Sequence, residues 1–218
     1  MRIIGGMAGG RQLATPKGMT VRPTPDLVRQ AVFNSLGTSI EGATVLDLFS
    51  GTGALGLECL SRGARQVLSV ELSSKHARFI RDNARELGLA GAGHELRVQD
   101  VFPALRQLVE TGRRFDFIMA DPPFGPKTAG APSRSFSQKL MDAAETVALL
   151  AVGGRLVLGH AKRDGVTPGP GWEELRVLTH GDSVFRILKT RSAPAAGAEL
   201  KGNEAFPPEA GEPRPDAE

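Results

Sequence analysis

Residues 44–56, TVLDLFSGTGALG, constrain the fold more than any other stretch. An apolar strand from Thr44 to Phe49 runs into a turn carrying Gly51, Gly53 and Gly56, and Ala54 opens a helix. Glycines at such a turn let the backbone bend sharply and let a ligand lie against N–H groups at the helix N-terminus. GTGALG satisfies the G-x-G-x-x-G dinucleotide pattern, which alone is a weak signal. Asp47, four residues before the first glycine, sharpens it. A carboxylate there repels a pyrophosphate but suits a cationic ligand such as a sulfonium with an amino-acid tail. Phe49, between that acid and the turn, belongs to the same candidate cofactor site.

From residue 44 strands and helices alternate. Strands are predicted at 44–49, 66–71, 95–100, 115–120 and 154–159, and helices at 54–62, 74–88, 102–111 and 135–151. Alternation with short connections predicts an α/β fold with a mostly parallel sheet covered on both faces. Trp172–Thr179 and Val184–Thr190 are strand-like runs joined by HGDS, so at least one late strand is expected to be antiparallel.

In such a sheet ligands bind beyond the carboxyl ends of the strands. Glu71, Asp100 and Asp121 each stand at or just past a strand end, on the same rim as Asp47. Singly, each reads as a capping or turn acid. Together they form a site in which Glu71 accepts from ribose hydroxyls and Asp100 from an adenine amine. That half of the pattern fits a dinucleotide and a sulfonium nucleoside alike. His160, at a later strand end, reads as structural rather than as a base.

Residues 121–124, DPPF, discriminate. Two prolines directly after a buried strand cannot continue the ladder, so the chain leaves as a rigid bend. The Asp121 carboxylate and the Pro122 carbonyl become fixed acceptors, and Phe124 presents an aromatic face beside them. A planar base with an exocyclic amine needs this combination. The acceptors take the amine hydrogens, stacking sets the approach to a methyl–sulfur bond, and such bases are splayed from their helix.

Charge and composition bound the partner. The chain has 218 residues, a formal net charge of +3 and one cysteine, Cys59, which reads as a small apolar residue of the first glycine-turn helix. No internal disulfide can form, and no signal peptide or membrane span is evident, so a cytoplasmic protein is expected. Residues 192–218 hold six acids against two bases, a net −4, leaving +7 on residues 1–191. A basic body is compatible with a polyanionic partner. The tail, rich in Pro, Ala and Gly, is expected to be disordered. Residues 2–15 suggest two short strands around a glycine-rich turn within the most basic part of the chain. After them VRPTPD predicts a helix capped by Thr24, with Pro25 at its first position and Val28, Ala31, Val32 and Leu36 facing inward. Arg29 and Gln30 are expected on its outside.

DLFSGTGALG, an acid-ended second strand and DPPF together resemble the class I S-adenosylmethionine-dependent methyltransferases that modify amino nitrogens of bases. RIIGGMAGGRQLATPKGMTVRPTPDLVRQAVFNSL, with LDLFSGTGALGLECLSRGA and FDFIMADPPF, resembles the RsmD-type 16S rRNA guanine-N2 methyltransferases of bacteria over roughly residues 1–190. The resemblance implies a Rossmann-like seven-stranded sheet with an antiparallel last strand, S-adenosyl-L-methionine as cofactor, and small-subunit rRNA or an assembly intermediate as partner. It implies a basic hairpin and helix extension (1–40) and a methyltransferase domain (41–191), and leaves the acidic tail (192–218) outside it. It also gives Arg22 and Thr24 a place beside the cofactor. Asp47, Phe49, Gly51, Gly53, Glu71 and Asp100 join them as cofactor residues, and Asp121, Pro122 and Phe124 as catalytic ones. No metal is called for, no membrane is involved, and a monomer is favoured. Other readings are adenine-N6 methylation of DNA, a nicotinamide-dependent dehydrogenase, and a non-catalytic RNA-binding module. Gly159-His160 departs from the family, whose members tend to carry an acid after the fifth strand. The loop 125–138 is longer than expected and brings Lys127 and Arg134 within reach of phosphate.

Overall fold

β1 (Thr44–Leu48) is buried at every position, Asp47 included, as a central strand covered on both faces requires. In the computed structural model, which describes residues 1–16, 25–91, 93–124 and 135–191, it pairs in parallel with β2 (Gln66–Glu71) and β4 (Phe115–Ala120). The seven-stranded sheet has the order β3-β2-β1-β4-β5-β7-β6, where β3 is His94–Val98, β5 Leu150–Ala161, β6 Trp172–His180 and β7 Ser183–Thr190. β7 is antiparallel to both its neighbours, so the expected late hairpin forms. The order reverses between β1 and β4, the switch point at which α/β sheets bind ligands.

Helices α1 (Asp26–Leu36), α2 (Ala54–Ser61), α3 (Ser74–Glu86), α4 (Val101–Glu110), α5 (Phe136–Asp142) and α6 (Ala144–Ala148) complete the fold. Their apolar residues form two buried clusters. One joins Val32, Phe33, Val45, Leu57, Met119 and Ile187; the other joins Leu46, Leu105, Ile118, Leu140 and Leu156. Successive residues of β1, Val45 and Leu46, fall into different clusters, as strand geometry demands of a sheet covered on both faces.

Four expectations are corrected. The helix expected over 135–151 is two short helices that meet at Ala143, whose extended backbone (φ −72°, ψ 121°) interrupts them, and β5 starts earlier, at Leu150. Residues 2–15 form one bridge, Arg2 with Gln12, rather than two strands. Pro25 stands at the N-cap of α1, one place before the expected helical position, and Thr24 lies outside the described residues. Arg29, expected outside, is wholly buried.

The N-terminal arm is bound to the body by polar contacts as well as apolar ones. Ile3, Ala8 and Leu13 belong to the first apolar cluster. The buried Glu58 on α2 accepts from the backbone of Ile4 at 2.6 Å and of Gly5 at 2.9 Å, and Arg62 pairs with the same carboxylate. Among the described residues no helix is long and apolar enough to cross a membrane.

Candidate active site

At the carboxyl ends of β1–β4 a cavity of about 370 Å³ opens, lined by Asp47, Phe49, Gly51, Glu71, Asp100 and Asp121 among others. That volume lies in the range of small-molecule sites. Strand order alone accounts for the grouping: Asp100 follows β3, Glu71 ends β2, Asp47 sits in β1 and Asp121 follows β4, four adjacent strands.

Asp47 is almost completely buried. Its Oδ2 accepts from the Gly56 amide at 3.2 Å. Burial raises its pKa to about 7; the Ser50 and Gly56 hydrogen bonds oppose the rise, and the nearby charges of Glu71 and Asp121 add to it. A positively charged ligand group would relieve that desolvated, anion-crowded carboxyl.

The glycine turn works differently from the sequence reading. The Gly51 amide donates to Glu71 Oε2 at 2.8 Å, the Gly53 amide to the Ser50 carbonyl at 2.7 Å, and the Gly56 amide to Asp47. These N–H groups are already engaged within the protein. The glycines therefore supply shape. Gly51 and Gly53 have φ values of 58° and 86°, and Gly53, which does not line the cavity, caps α2 in the left-handed conformation.

Glu71 is held from two sides, by the Gly51 amide on Oε2 and the Ser73 amide on Oε1 at 2.8 Å, with His76 Nδ1 3.5 Å away. A carboxylate has about four acceptor sites, so both oxygens retain capacity toward the cavity. Asp100 caps α4 by accepting from Phe102 N through Oδ1 at 2.9 Å, the capping role that an acid in this place commonly takes. It also lines the cavity.

Phe49 has a φ of 55°. A bulky residue holds that conformation only where its surroundings enforce it, at a cost of about 1–3 kcal/mol. Its ring lies 5.4 Å from that of Phe136, which is in turn 6.2 Å from Phe102. Phe136 lines the cavity too and was not anticipated; it opens α5 beyond the proline bend, and nothing local in the sequence marks it as a site residue. Met1, Arg29, Ser73 and His76 are further wall residues that sequence reasoning missed.

Of DPPF, Asp121 and Pro123 line the cavity and Pro122 is buried. Phe124 is not among the lining residues. It is 43% exposed, with the Arg163 guanidinium 5.9 Å from its ring centre. Gly159 faces the same bend: a Cβ there would lie 2.4 Å from Asp121 Oδ1 and 2.9 Å from the Phe185 ring. A side chain at this strand end would displace the Asp121 carboxylate. His160 is buried, its Nδ1 placed 2.8 Å from the Ala161 carbonyl and its Nε2 accepting from Arg186 at 3.0 Å. Burial lowers its pKa, and the neutral ring is structural. Arg22, Thr24, Lys127 and Arg134 lie outside the described residues.

A family model described as "Conserved hypothetical protein 95" matches residues 1–189. The chain belongs to that family. Ribosomal RNA small subunit methyltransferase D of Escherichia coli strain K12 is 38% identical over 124 residues, covering 57% of this chain and 60% of that protein. YlbH of Bacillus subtilis strain 168 is 36% identical over 124 residues, 57% of this chain and 67% of its own length. The aligned stretch thus spans about two thirds or less of these relatives. The solved structure of yhhF from Escherichia coli superposes with a TM-score of 0.68 at 30% identity, over 88% of this chain and 99% of that one. The fold is that of the class I methyltransferases.

Proposed function

We propose that this protein transfers a methyl group from S-adenosylmethionine to the exocyclic N2 of a guanine in small-subunit ribosomal RNA. The observation that carries the reading is that Asp121, from the DPPF bend, and Asp47, beside the glycine turn, wall one cavity. An acceptor suited to a base amine and a carboxyl suited to a cation therefore face the same space. The kinship with small subunit methyltransferase D supports the choice of base and RNA.

The cofactor supplies an electrophilic methyl on a positively charged sulfur. The chain's residues do the rest. Glu71, oriented by the Gly51 and Ser73 amides, accepts from ribose hydroxyls, and Asp100 accepts from the adenine amine. Phe49 and Phe136 give the cavity an aromatic wall. The buried Asp47 offers negative charge where the cationic end lies. Asp121 and the Pro122 carbonyl accept hydrogen bonds from the two hydrogens of the guanine amine and favour its pyramidal form, and the Asp121 carboxylate receives the proton that leaves the nitrogen as the new N–C bond forms. Phe124, exposed at the rim, meets the base as it enters from solvent. Residues 1–40 contribute basic charge toward RNA, and the family resemblance gives Arg22 and Thr24 a role beside the cofactor.

The test is transfer of labelled methyl to unmodified small-subunit particles, bulk rRNA and DNA in parallel, with nucleoside analysis. N2-methylguanosine confined to small-subunit RNA is expected. N6-methyladenine in DNA would overturn the substrate and keep the cofactor; absence of any transfer would overturn the reading.

A further inference from the structure

Arg29 contradicts the pattern of its own helix. The other buried positions of α1 are Val28, Val32, Phe33 and Leu36, yet this arginine is 0% exposed. One nitrogen, Nη2, donates to the Arg2 carbonyl at 2.5 Å and to Asp26 Oδ1 at 2.7 Å. Nε and Nη1 are buried and have no hydrogen-bond partner. Of the five N–H bonds of a guanidinium, the three on these two nitrogens are unmet. The ion pair with Asp26 is shared with Arg2, and that carboxylate is partly in water, so the buried charge is incompletely balanced. Buried charged donors are normally satisfied, and an exception calls for a missing partner.

The cavity gives that partner its place, because Arg29 lines it together with Asp47 and Thr52. α1 packs beside β6, at the sheet edge opposite β3, and the arm whose Arg2 carbonyl holds Arg29 is fastened through Ile4 and Gly5 to Glu58 of α2. The rim order puts Asp100 and Glu71 on β3 and β2, and Asp47 on β1. A ligand whose adenosine meets Asp100 and Glu71 therefore directs its other end toward Asp47 and Arg29. That end is an α-amino acid, which carries one ammonium and one carboxylate.

We propose that Arg29 binds the α-carboxylate of the cofactor's amino-acid end, with Asp47 taking the positive charge beside it; this rests on the reading that S-adenosylmethionine fills the cavity. The guanidinium presents two idle, neighbouring nitrogens in a planar fork, the arrangement that pairs with a carboxylate through two parallel hydrogen bonds. Arg29 borders the cavity and is shut off from bulk solvent, so a small ligand seated in the cavity is a nearer partner for it than an RNA phosphate. Asp26 and the Arg2 carbonyl hold the fork, so the arm and α1 build part of the cofactor site as well as the proposed RNA face.

The test is calorimetric binding to the full chain of S-adenosylhomocysteine and of its decarboxylated counterpart. The wild type is expected to favour the carboxylate-bearing ligand by at least about ten-fold, the worth of a charge-assisted hydrogen bond. Arg29→Met is expected to erase that preference while binding the decarboxylated ligand as the wild type does, and Arg29→Lys to restore part of it. A merely structural arginine would weaken both ligands equally. A wild type without the preference, a comparison that needs no variant to fold, overturns the proposal, as does a preference that survives in Arg29→Met. Failure of the wild type to bind either ligand would instead overturn the underlying reading of the cavity.

Discussion

Asp47 Oδ2 accepts from the Gly56 amide at 3.2 Å, and a Cβ on Gly56 would lie 2.7 Å from that same oxygen. The hydrogen bond and the missing side chain are one feature: the helix can approach the strand closely enough to hold the carboxyl only where it carries no Cβ. Val67 Cγ1, 3.0 Å from the same point, closes the other side. Gly56→Ala gains about 1 kcal/mol of helix propensity but must push a buried acid aside, at about 1–3 kcal/mol. The expected outcome is a lower denaturation midpoint together with weakened cofactor binding, measured by urea unfolding and calorimetry. Unchanged affinity would show that Asp47 is not positioned through Gly56.

Asp47 also sets a pH dependence. Its pKa of about 7 lies above the ordinary 3.8, mainly through burial. The folded state therefore favours the protonated acid. The stability that Asp47 contributes is complete below pH 3.8 and is lost as pH rises through about 7. Cofactor binding runs the other way, because a cationic ligand needs the carboxylate. Affinity for S-adenosylmethionine is expected to rise about ten-fold from about pH 6 to pH 8. Asp47→Asn should flatten that rise and make the apoprotein less sensitive to pH in thermal unfolding. A wild-type affinity that is level over this range would contradict the role given to Asp47.

The strands, the late hairpin and the rim acids could be read from the sequence because each rests on a local signal: apolar runs, glycines before a helix, acids at strand ends. Arg29 could not be read by residue type, since a charged residue on an amphipathic helix is assigned to water. Its spacing did carry the information. Phe33 and Leu36 stand four and seven residues later, on the buried face. Phe136 was missed for another reason. It reaches the cavity from beyond a loop, and only the closure of α5 against β5 and α4 brings it beside Phe49 and Phe102. A glycine turn before a helix reads as a row of amides open to a ligand, whereas Glu71, Ser50 and Asp47 already use them. Such long-range partners leave no local mark.

Asn83 ties the arm to the glycine turn. Wholly buried on α3, it donates through Nδ2 to the carbonyls of Ala14 at 3.1 Å and Thr52 at 3.0 Å, and its Oδ1 accepts from the Ala14 amide at 2.8 Å. Asn83→Ala leaves these backbone groups without partners, each costing about 1–3 kcal/mol where water cannot reach it. The variant is expected to unfold at lower denaturant, and its arm to be cut faster in limited proteolysis than the body. Asn83→Asp keeps the acceptor but replaces both donors and should behave like the alanine variant. Equal proteolysis of the arm in all three proteins would deny Asn83 this role.

Asp121 and Glu71 should divide catalysis from binding. Asp121→Asn keeps the shape against Gly159 and Phe185 but removes the negative charge that receives the amine proton, an interaction that grows in the transition state. Turnover is expected to fall by about 10²–10³-fold, while affinity for S-adenosylhomocysteine stays within about two-fold of the wild type. Glu71→Gln loses half of a carboxylate that holds the Gly51 and Ser73 amides and accepts from the ribose. Its affinity for S-adenosylhomocysteine should drop about ten-fold or more, with turnover at saturating cofactor much less affected. The two variants therefore move in opposite corners of a plot of kcat against cofactor Kd. Asp121→Asn with near-normal turnover would remove the DPPF bend from the chemistry, and Glu71→Gln with normal affinity would remove the second strand's acid from the cofactor.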